Sequence, residues 1–303
     1  MKVVRDSVHA EPLSVMSLPE WLSQWVDIDG RQLVSDPDSP IQIETASNDH
    51  FALVSLVARN ARELDAAQFE QLSLQTFNTL RRALCQTGPF QPVRIWNYIP
   101  DILRDSGDDL DRYMIFNRAR YNAFDQWFSE DDIAQLPAGT GVGHGQDELA
   151  IHCLASLNGA AAVENPRQRP AHQYSQRYGP RPPMFSRAIT LKQPGHSTPS
   201  VLVGGTASVV GEDTSHLDDT QAQLDETLLN LAALVSHAVG SDDDQESLGR
   251  FREVRAYYPQ DELPAEQVEH LAARMPNATR IDWIQADLCR RNLLVEIEGI
   301  AEA

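Results

Sequence analysis

Two stretches of this chain, separated by a connector rich in proline and arginine, pass through the same succession of elements. In the first, residues 51–58 (Phe-Ala-Leu-Val-Ser-Leu-Val-Ala) are a continuous apolar run that reads as a buried strand. Asp65 is placed to cap a long helix over 66–84, where Phe69, Leu72, Leu80 and Leu84 recur at helical spacing before Gly88 and Pro89. A strand at 92–100, a helix at 113–124 and strands at 139–143 and 149–155 follow. In the second stretch a strand at 200–210 carries the pair Gly204-Gly205, and Asp218 or Asp219 caps a helix over 221–235. A strand at 251–259, a helix at 265–274 and strands at 280–286 and 293–301 complete it. Gln71 and Asn78 lie seven apart in the first long helix, as do Gln223 and Asn230 in the second. A shared order with a shared residue pair favours a tandem of two like α+β domains over one large domain. The connector, 163–184, is expected to be extended and polyproline-like. It places the boundary between domains at 1–165 and 166–303. Residues 1–50 are less regular: 19–26 holds Trp21 and Trp25, and 36–40 is a loop.

The closing stretch, 293–301, is rich in aliphatic and β-branched residues and contains two carboxylates. Side chains alternate faces along a strand, so Leu293, Val295 and Ile297 share one face and Leu294, Glu296 and Glu298 the other. Two readings stay open. The strand is an edge with one wet face, or a carboxyl sits in a partly apolar cleft with its pKa raised, available as an acid. If 149–155 corresponds to 293–301, the first copy has Ala150 or Ile151 where the second has Glu296. Carboxylate chemistry then belongs to the C-terminal half.

The formal net charge is −19 over 303 residues. Such a chain repels nucleic acid and anionic membranes, and it repels a small anionic substrate too unless arginines are concentrated locally. Arg177, Arg181 and Arg187 are gathered around the connector, with Tyr178 among them as a candidate hydroxyl donor, and Arg280 lies on the penultimate strand. Arginine suits a bidentate grip on carboxylates. Arg290 and Arg291 read as alternating in direction, so at most one faces a cleft. No apolar run reaches the ~20 residues that span a membrane, and residues 1–7 have no apolar stretch after their basic residues, so no signal peptide is expected. The three cysteines, Cys85, Cys153 and Cys289, show no metal-binding spacing. They point to a reducing, cytoplasmic setting and to no metal.

Residues 200–303 resemble the RidA (YjgF) fold, through Val203-Gly204-Gly205, the Gln223/Asn230 pair, Arg280 and the closing Glu296-Ile297-Glu298-Gly299-Ile300-Ala301. Over roughly 90–303 the chain resembles the chorismatase family. That likeness is carried by Arg94-Ile95-Trp96-Asn97-Tyr98-Ile99-Pro100, Tyr113 with Phe116-Asn117 and Arg120, Arg181-Pro182-Pro183-Met184-Phe185-Ser186-Arg187-Ala188, Gly204-Gly205-Thr206-Ala207-Ser208 and the run from Cys289 to Glu298. The resemblance implies an α+β tandem of two RidA/YjgF-like (chorismate-mutase-like) domains, mixed sheets packed with helices, the first degenerate and the second catalytic.

Family members split chorismate into pyruvate and a ring acid. One subtype hydrolyses it to a dihydroxycyclohexadiene carboxylate, another gives 3-hydroxybenzoate, and a third gives both 3- and 4-hydroxybenzoate. By position, Glu296 matches the family's catalytic glutamate. Cys289 matches a position where cysteine accompanies hydroxybenzoate formation and the hydrolytic subtype usually has alanine. The Gly204-Gly205 pair lies where the same two subtypes differ as glycine and alanine, and which of the two is the equivalent stays open. Arg181 and Arg187 match a family motif, and Arg280 the arginine of the penultimate strand; these three, with Tyr178, are the expected substrate-binding side chains. The resemblance implies a cofactor-free chorismatase forming 3-hydroxybenzoate, possible admixture of the 4-isomer included, with the hydrolytic subtype or a RidA-like imine deaminase or ligand-binding protein as alternatives. A nucleophilic Cys289 has no His or Asn partner spacing behind it. RidA-like folds assemble as trimers with clefts between subunits, and a tandem chain supplies one such interface internally, which implies a monomer or a small homo-oligomer.

Overall fold

A computed structural model describes residues 10–303 other than 15, 36–37, 129–134, 242 and 262–264. Residues 1–7 and the first two residues of the 36–40 loop, both read above, lie outside that set. In chain order the strands are β1 Ala10–Pro12, β2 Gln32–Leu33, β3 Ile41–Ser47, β4 Phe51–Ala58, β5 Gln91–Pro100, β6 Ala138–His144, β7 Leu149–Ser156, β8 Ala161–Val163, β9 Ala188–Leu191, β10 Ser200–Ala207, β11 Val209–Val210, β12 Asp213–Thr214, β13 Phe251–Tyr258, β14 Arg280–Gln285 and β15 Glu296–Glu302. The helices are α1 Ala66–Thr87, α2 Arg112–Phe124, α3 Thr220–Val239, α4 Asp244–Leu248 and α5 Ala265–Arg274.

Both long helices start as their caps dictate. Asp65 accepts from the Gln68 backbone N–H and the Gln68 side chain returns the bond, a full capping box. Asp219, not Asp218, caps α3 by accepting from Ala222 N–H.

The first sheet runs β2-β3-β4-β7-β5-β6, and the second β1-β14-β13-β15-β10-β9-β8. Each is mixed: β5 and β6 are parallel in the first, β13 and β14 in the second. Alternation along the strands assigns each sheet two apolar faces. Ile95 and Ile99 of β5 pack under Phe69, Phe77, Phe116 and Phe124 of α1 and α2. Trp96 and Tyr98 point the other way, into a cluster with Leu202, Tyr257, Ile284 and Ile300 of the second sheet. On the far side, Val201, Val254 and Ile297 pack under Leu224, Leu228 and Leu231 of α3. The molecule is therefore an α+β tandem in four layers: helices, sheet, sheet, helices. Each fully buried large apolar side chain contributes roughly 1.5–3 kcal/mol over exposure. Trp21, on a short 3-10 turn at Glu20–Gln24, and Trp25, which caps that turn, contact each other and cover Trp96 and Phe51 at one end of the middle layer.

Three expectations are corrected. β15 is not an edge: it lies between β13 and β10, and its carboxylate face is covered by the first sheet. The strand begins at Glu296, because Leu293 N–H closes a turn onto Arg290 O and Leu294 N–H is taken by the Gln223 side chain. The connector is extended at Tyr174 and Ser175 but is broken by 3-10 turns at Ala171–Gln173 and Gln176–Tyr178, and it ends in β9.

The edge strand β6 closes the seam between the halves. Ala138 bridges Ser186, Gly143 bridges Asp287, and Gly205 N–H donates to Thr140 Oγ1 at 3.0 Å. Gly204-Gly205 falls where the β10–β15 register shifts, a bulge that presses the backbone against β6.

Candidate active site

Beside that seam lies a cavity of about 510 Å³, a volume that suits a small organic ligand. Glu296, the first residue of β15, lines it and is 4% exposed. Burial pushes its carboxyl up to about 8, and the neighbouring Glu298 adds to the rise, while Arg94, Arg187 and Arg290 pull the other way. At neutral pH the group is mostly a neutral acid. Glu298, two residues on along the same face, does not line the cavity. It is 2% exposed and faces the first sheet, where it receives hydrogen bonds from Arg94 Nη2 (2.5 Å), Trp96 Nε1 (3.0 Å), Tyr257 OH (3.0 Å) and the Thr140 hydroxyl.

Both halves build the walls. From α2 come Tyr113, Asn117 and Arg120, spaced to fall on one helix face, and from β6 come Gly139, Thr140 and Gly141. The connector supplies Tyr174 and Tyr178, the residues just after it Phe185 and Arg187, and the rest of the second half Gly205, Cys289, Arg290 and Arg291 with Glu296. Of the five arginines that line the cavity, Arg177 pairs with Glu212 and Asp213, and the other four bond to neutral oxygens. Arg120 donates to Asn117 Oδ1, Arg187 to Tyr174 OH and Arg169 O, Arg290 to Glu212 O and Thr214 Oγ1, and Arg291 to Leu103 O. Their charge is left for a ligand. Buried polar atoms on lining residues, Asn117 Nδ2, Arg120 Nε, Gln168 Oε1 and Arg187 Nε, have no protein partner, which fits a wall that meets a polar molecule.

Cys289 lines the cavity next to Glu296. Burial, and then the Glu296 charge, push its thiol up to about 12, so it is neutral at physiological pH. Gly205 faces the cavity, and a Cβ there would overlap Glu296 Oε1. Gly204 faces the seam, where a Cβ would stand 2.7 Å from Gly139 O. The structure therefore separates the two glycines that the sequence left equivalent.

Glu296, Cys289, Gly205, Arg187 and Tyr178 are brought together. Tyr178 donates its hydroxyl to Asp213 Oδ1 (3.1 Å), so what it presents is its ring, on which Arg290 lies 3.8 Å from the centroid. Arg181 is not on the cavity: it is exposed and lies over the Tyr121 ring on α2. Nor is Arg280. It sits at the start of β14 with β13 between it and β15, 43% exposed, and pairs with Asp282 and Glu20.

Arg290 and Arg291 both line the cavity, against expectation, because 286–295 is a loop in which strand alternation does not hold. Arg120 and Asn117 were missed as site residues. The signal was available: Tyr113, Asn117 and Arg120 form a polar stripe at helical spacing on an otherwise buried helix. Among the described residues, no group of three or more His, Cys, Asp or Glu is placed to hold a metal, and no helix is long and apolar enough to cross a membrane.

Comparison with known proteins gives the same picture from a different direction. Residues 32–155 match the model of the FkbO/Hyg5-like chorismatase N-terminal family. A 3-hydroxybenzoate synthase of Streptomyces hygroscopicus is 35% identical over 245 residues, 77% of this chain and 70% of the relative. A chorismatase of Streptomyces rapamycinicus is 34% identical over 226 residues, 69% of this chain and 63% of its own length. A chorismatase crystal structure superposes with a TM-score of 0.72 at 28% identity, over 89% of this chain and 78% of the other. Identity over this length, with a shared fold and a cavity that both halves complete, places the chain in the chorismatase family.

Proposed function

We propose that this protein converts chorismate to 3-hydroxybenzoate and pyruvate. The observation that carries the reading is Glu296: a buried carboxyl held protonated near neutrality, facing a cavity lined by Arg120, Arg187, Arg290 and Arg291 in a chain of net charge −19. The substrate is a dicarboxylate enol ether. Its carboxylates suit the arginines, and its enolpyruvyl methylene needs a proton before the ether bond breaks.

Glu296 donates that proton and the enol ether becomes an oxocarbenium-like leaving group. The substrate's 4-hydroxyl oxygen attacks C3, the C3–O bond to the side chain breaks and pyruvate leaves. The hydroxyl proton returns to the Glu296 carboxylate, so the acid is restored. The epoxide opens at its C4–O bond, the ring loses its C3 hydrogen as a proton, the oxygen gains one, and the ring is aromatic. No water is consumed. Neutral Cys289 and the bare backbone of Gly205 shape the wall beside Glu296 to favour this internal attack.

On the same reading, the enzyme works in the cytoplasm as a monomer or small homo-oligomer: its three cysteines are free and both halves of the chain line the cavity. A division near 1–165 and 166–303 is supported by the change of sheet between β7 and β8, although β1 and β8, both before 165, join the second sheet. The test is incubation with chorismate and chromatography of the products, with Glu296→Gln beside the wild type. General acid catalysis supplies roughly 10²–10⁴-fold, so the variant is expected to lose about that much in kcat. Wild-type turnover by Glu296→Gln sinks the mechanism.

A further inference from the structure

Thr140 lies on β6, in the half without the acid, yet its hydroxyl is where three groups from both halves meet. Oγ1 accepts from Arg94 Nη2 (2.5 Å) and from the Gly205 backbone N–H (3.0 Å), and donates to Glu298 Oε2. A hydroxyl has one hydrogen and two lone pairs. With both lone pairs taken by groups that only donate, its hydrogen has one direction left, toward Glu298. Glu298 is then an acceptor on both oxygens: Oε2 takes Thr140 and Arg94, and Oε1 takes Trp96 and Tyr257. Arg94, Trp96 and the Thr140 hydrogen can only donate to it, and the Arg94 guanidinium is its ion-pair partner, so Glu298 acts as the carboxylate of the pair. All five side chains are at most 2% exposed.

We propose that Thr140 is a positioning residue: by holding the ionised Glu298 and the Gly205 backbone as one unit, it sets the protonation and the aim of Glu296. The role rests on the acid function given to Glu296 above. Two carboxyls two residues apart on one strand face, in a dry site, do not both ionise readily. The one with four donors takes the charge, and the one facing the cavity keeps the proton. Gly205, fixed by Thr140, is the surface against which Glu296 Oε1 rests. Around Glu298 stand Arg94 and Tyr98 on β5, Thr140 on β6 and Arg255 and Tyr257 on β13. Around Glu296 stand Tyr113 on α2, Arg187 just after the connector, and Cys289 and Arg290 from the 286–295 loop. The half that lacks the acid thus supplies Arg94, Trp96 and Thr140, the groups that keep the acid usable.

The test follows Glu296 in two ways. Without substrate, protein labelled with glutamate carboxyl-13C is titrated by NMR, the Glu296 resonance being the one missing in Glu296→Gln. With chorismate, the alkaline limb of kcat is measured. The acid must be protonated to act, so the rate falls as pH rises through its pKa, about 8 in the wild type. Thr140→Val and Glu298→Gln are expected to move both midpoints to lower pH by about one unit, and Thr140→Ser, which keeps the hydroxyl, to stay with the wild type. Should Thr140→Val keep the wild-type midpoint and only lose thermal stability, Thr140 is structural and the proposal falls. If Glu298→Gln does not fold, the Val and Ser variants of Thr140 decide alone. A wild type that ignores chorismate but shifts its resonance in Thr140→Val sinks the substrate, not the positioning.

Discussion

Neighbouring glycines Gly204 and Gly205 meet opposite demands. A methyl group at Gly205 would occupy the place of Glu296 Oε1, a flexible carboxyl that can turn away; at Gly204 it would press on the Gly139 backbone, which cannot. Gly205→Ala and Cys289→Ala are therefore expected to alter chemistry: both shift product from 3-hydroxybenzoate toward the dihydroxycyclohexadiene carboxylate, read by chromatography of chorismate incubations. Gly204→Ala is expected to lower stability by roughly 1–3 kcal/mol, as overpacking does, with an unchanged product ratio. Equal product ratios in all three variants would remove the roles given to Gly205 and Cys289. Strand alternation, which is local and set by backbone geometry, already put Glu296 and Glu298 on one face, and the family resemblance singled out Glu296. The sequence did not distinguish the glycines, because what each faces comes from another strand. Arg280 failed as a candidate for the same reason: its strand has the right neighbours in sequence, but β13 intervenes in space.

At the level of the element, α3 holds the loop that carries Cys289, Arg290 and Arg291. Gln223, fully buried, donates to His216 O (3.1 Å) and Asn292 O (2.8 Å) and accepts from Leu294 N–H (2.8 Å). Seven residues on, Asn230 donates to Ala207 O and Val209 O beyond the bulge. In α1 the same spacing does no such work, since Gln71 is exposed and Asn78 half-buried. Gln223→Leu leaves three backbone groups unpaired, at roughly 1–3 kcal/mol for each buried group left unsatisfied. We expect a lower melting temperature and a KM for chorismate raised more than kcat falls, because the loop that carries Arg290 and Arg291 loses its tie to α3 while Glu296 stays held in β15. An unchanged KM would show that the loop is held from elsewhere. Helices, caps and most strands were legible here because periodicity and capping act within a few residues. The stretch 293–295 was not: strand-like composition yielded to a turn and to a side chain 71 positions away.

For the whole molecule, the cavity belongs to neither half. Tyr113, Asn117, Arg120 and Thr140 come from one, and Glu296, Cys289 and Arg290 from the other. Fragments 1–165 and 166–303, produced separately, are expected not to consume chorismate. A 166–303 fragment with the wild-type rate would mean that the first half adds nothing to the site. In this strongly negative chain Arg120, Arg187, Arg290 and Arg291, bonded to neutral oxygens, converge on one cavity, while Arg177 at its rim and arginines elsewhere, such as Arg94, Arg252 and Arg280, are paired with carboxylates.

The two-fold order of elements, the α+β class and the place of the Glu296 carboxyl on the closing strand were readable along the chain, because each depends on patterns a few residues long. Whether that carboxyl sits on a wet edge or in a dry cavity was not, since the answer lies in the first sheet covering β15 and in Arg94, more than two hundred positions away, pairing with Glu298. Burial and charge act through space, and only the packing of one half on the other closed Glu298 among four hydrogen-bond partners and left Glu296 facing the cavity.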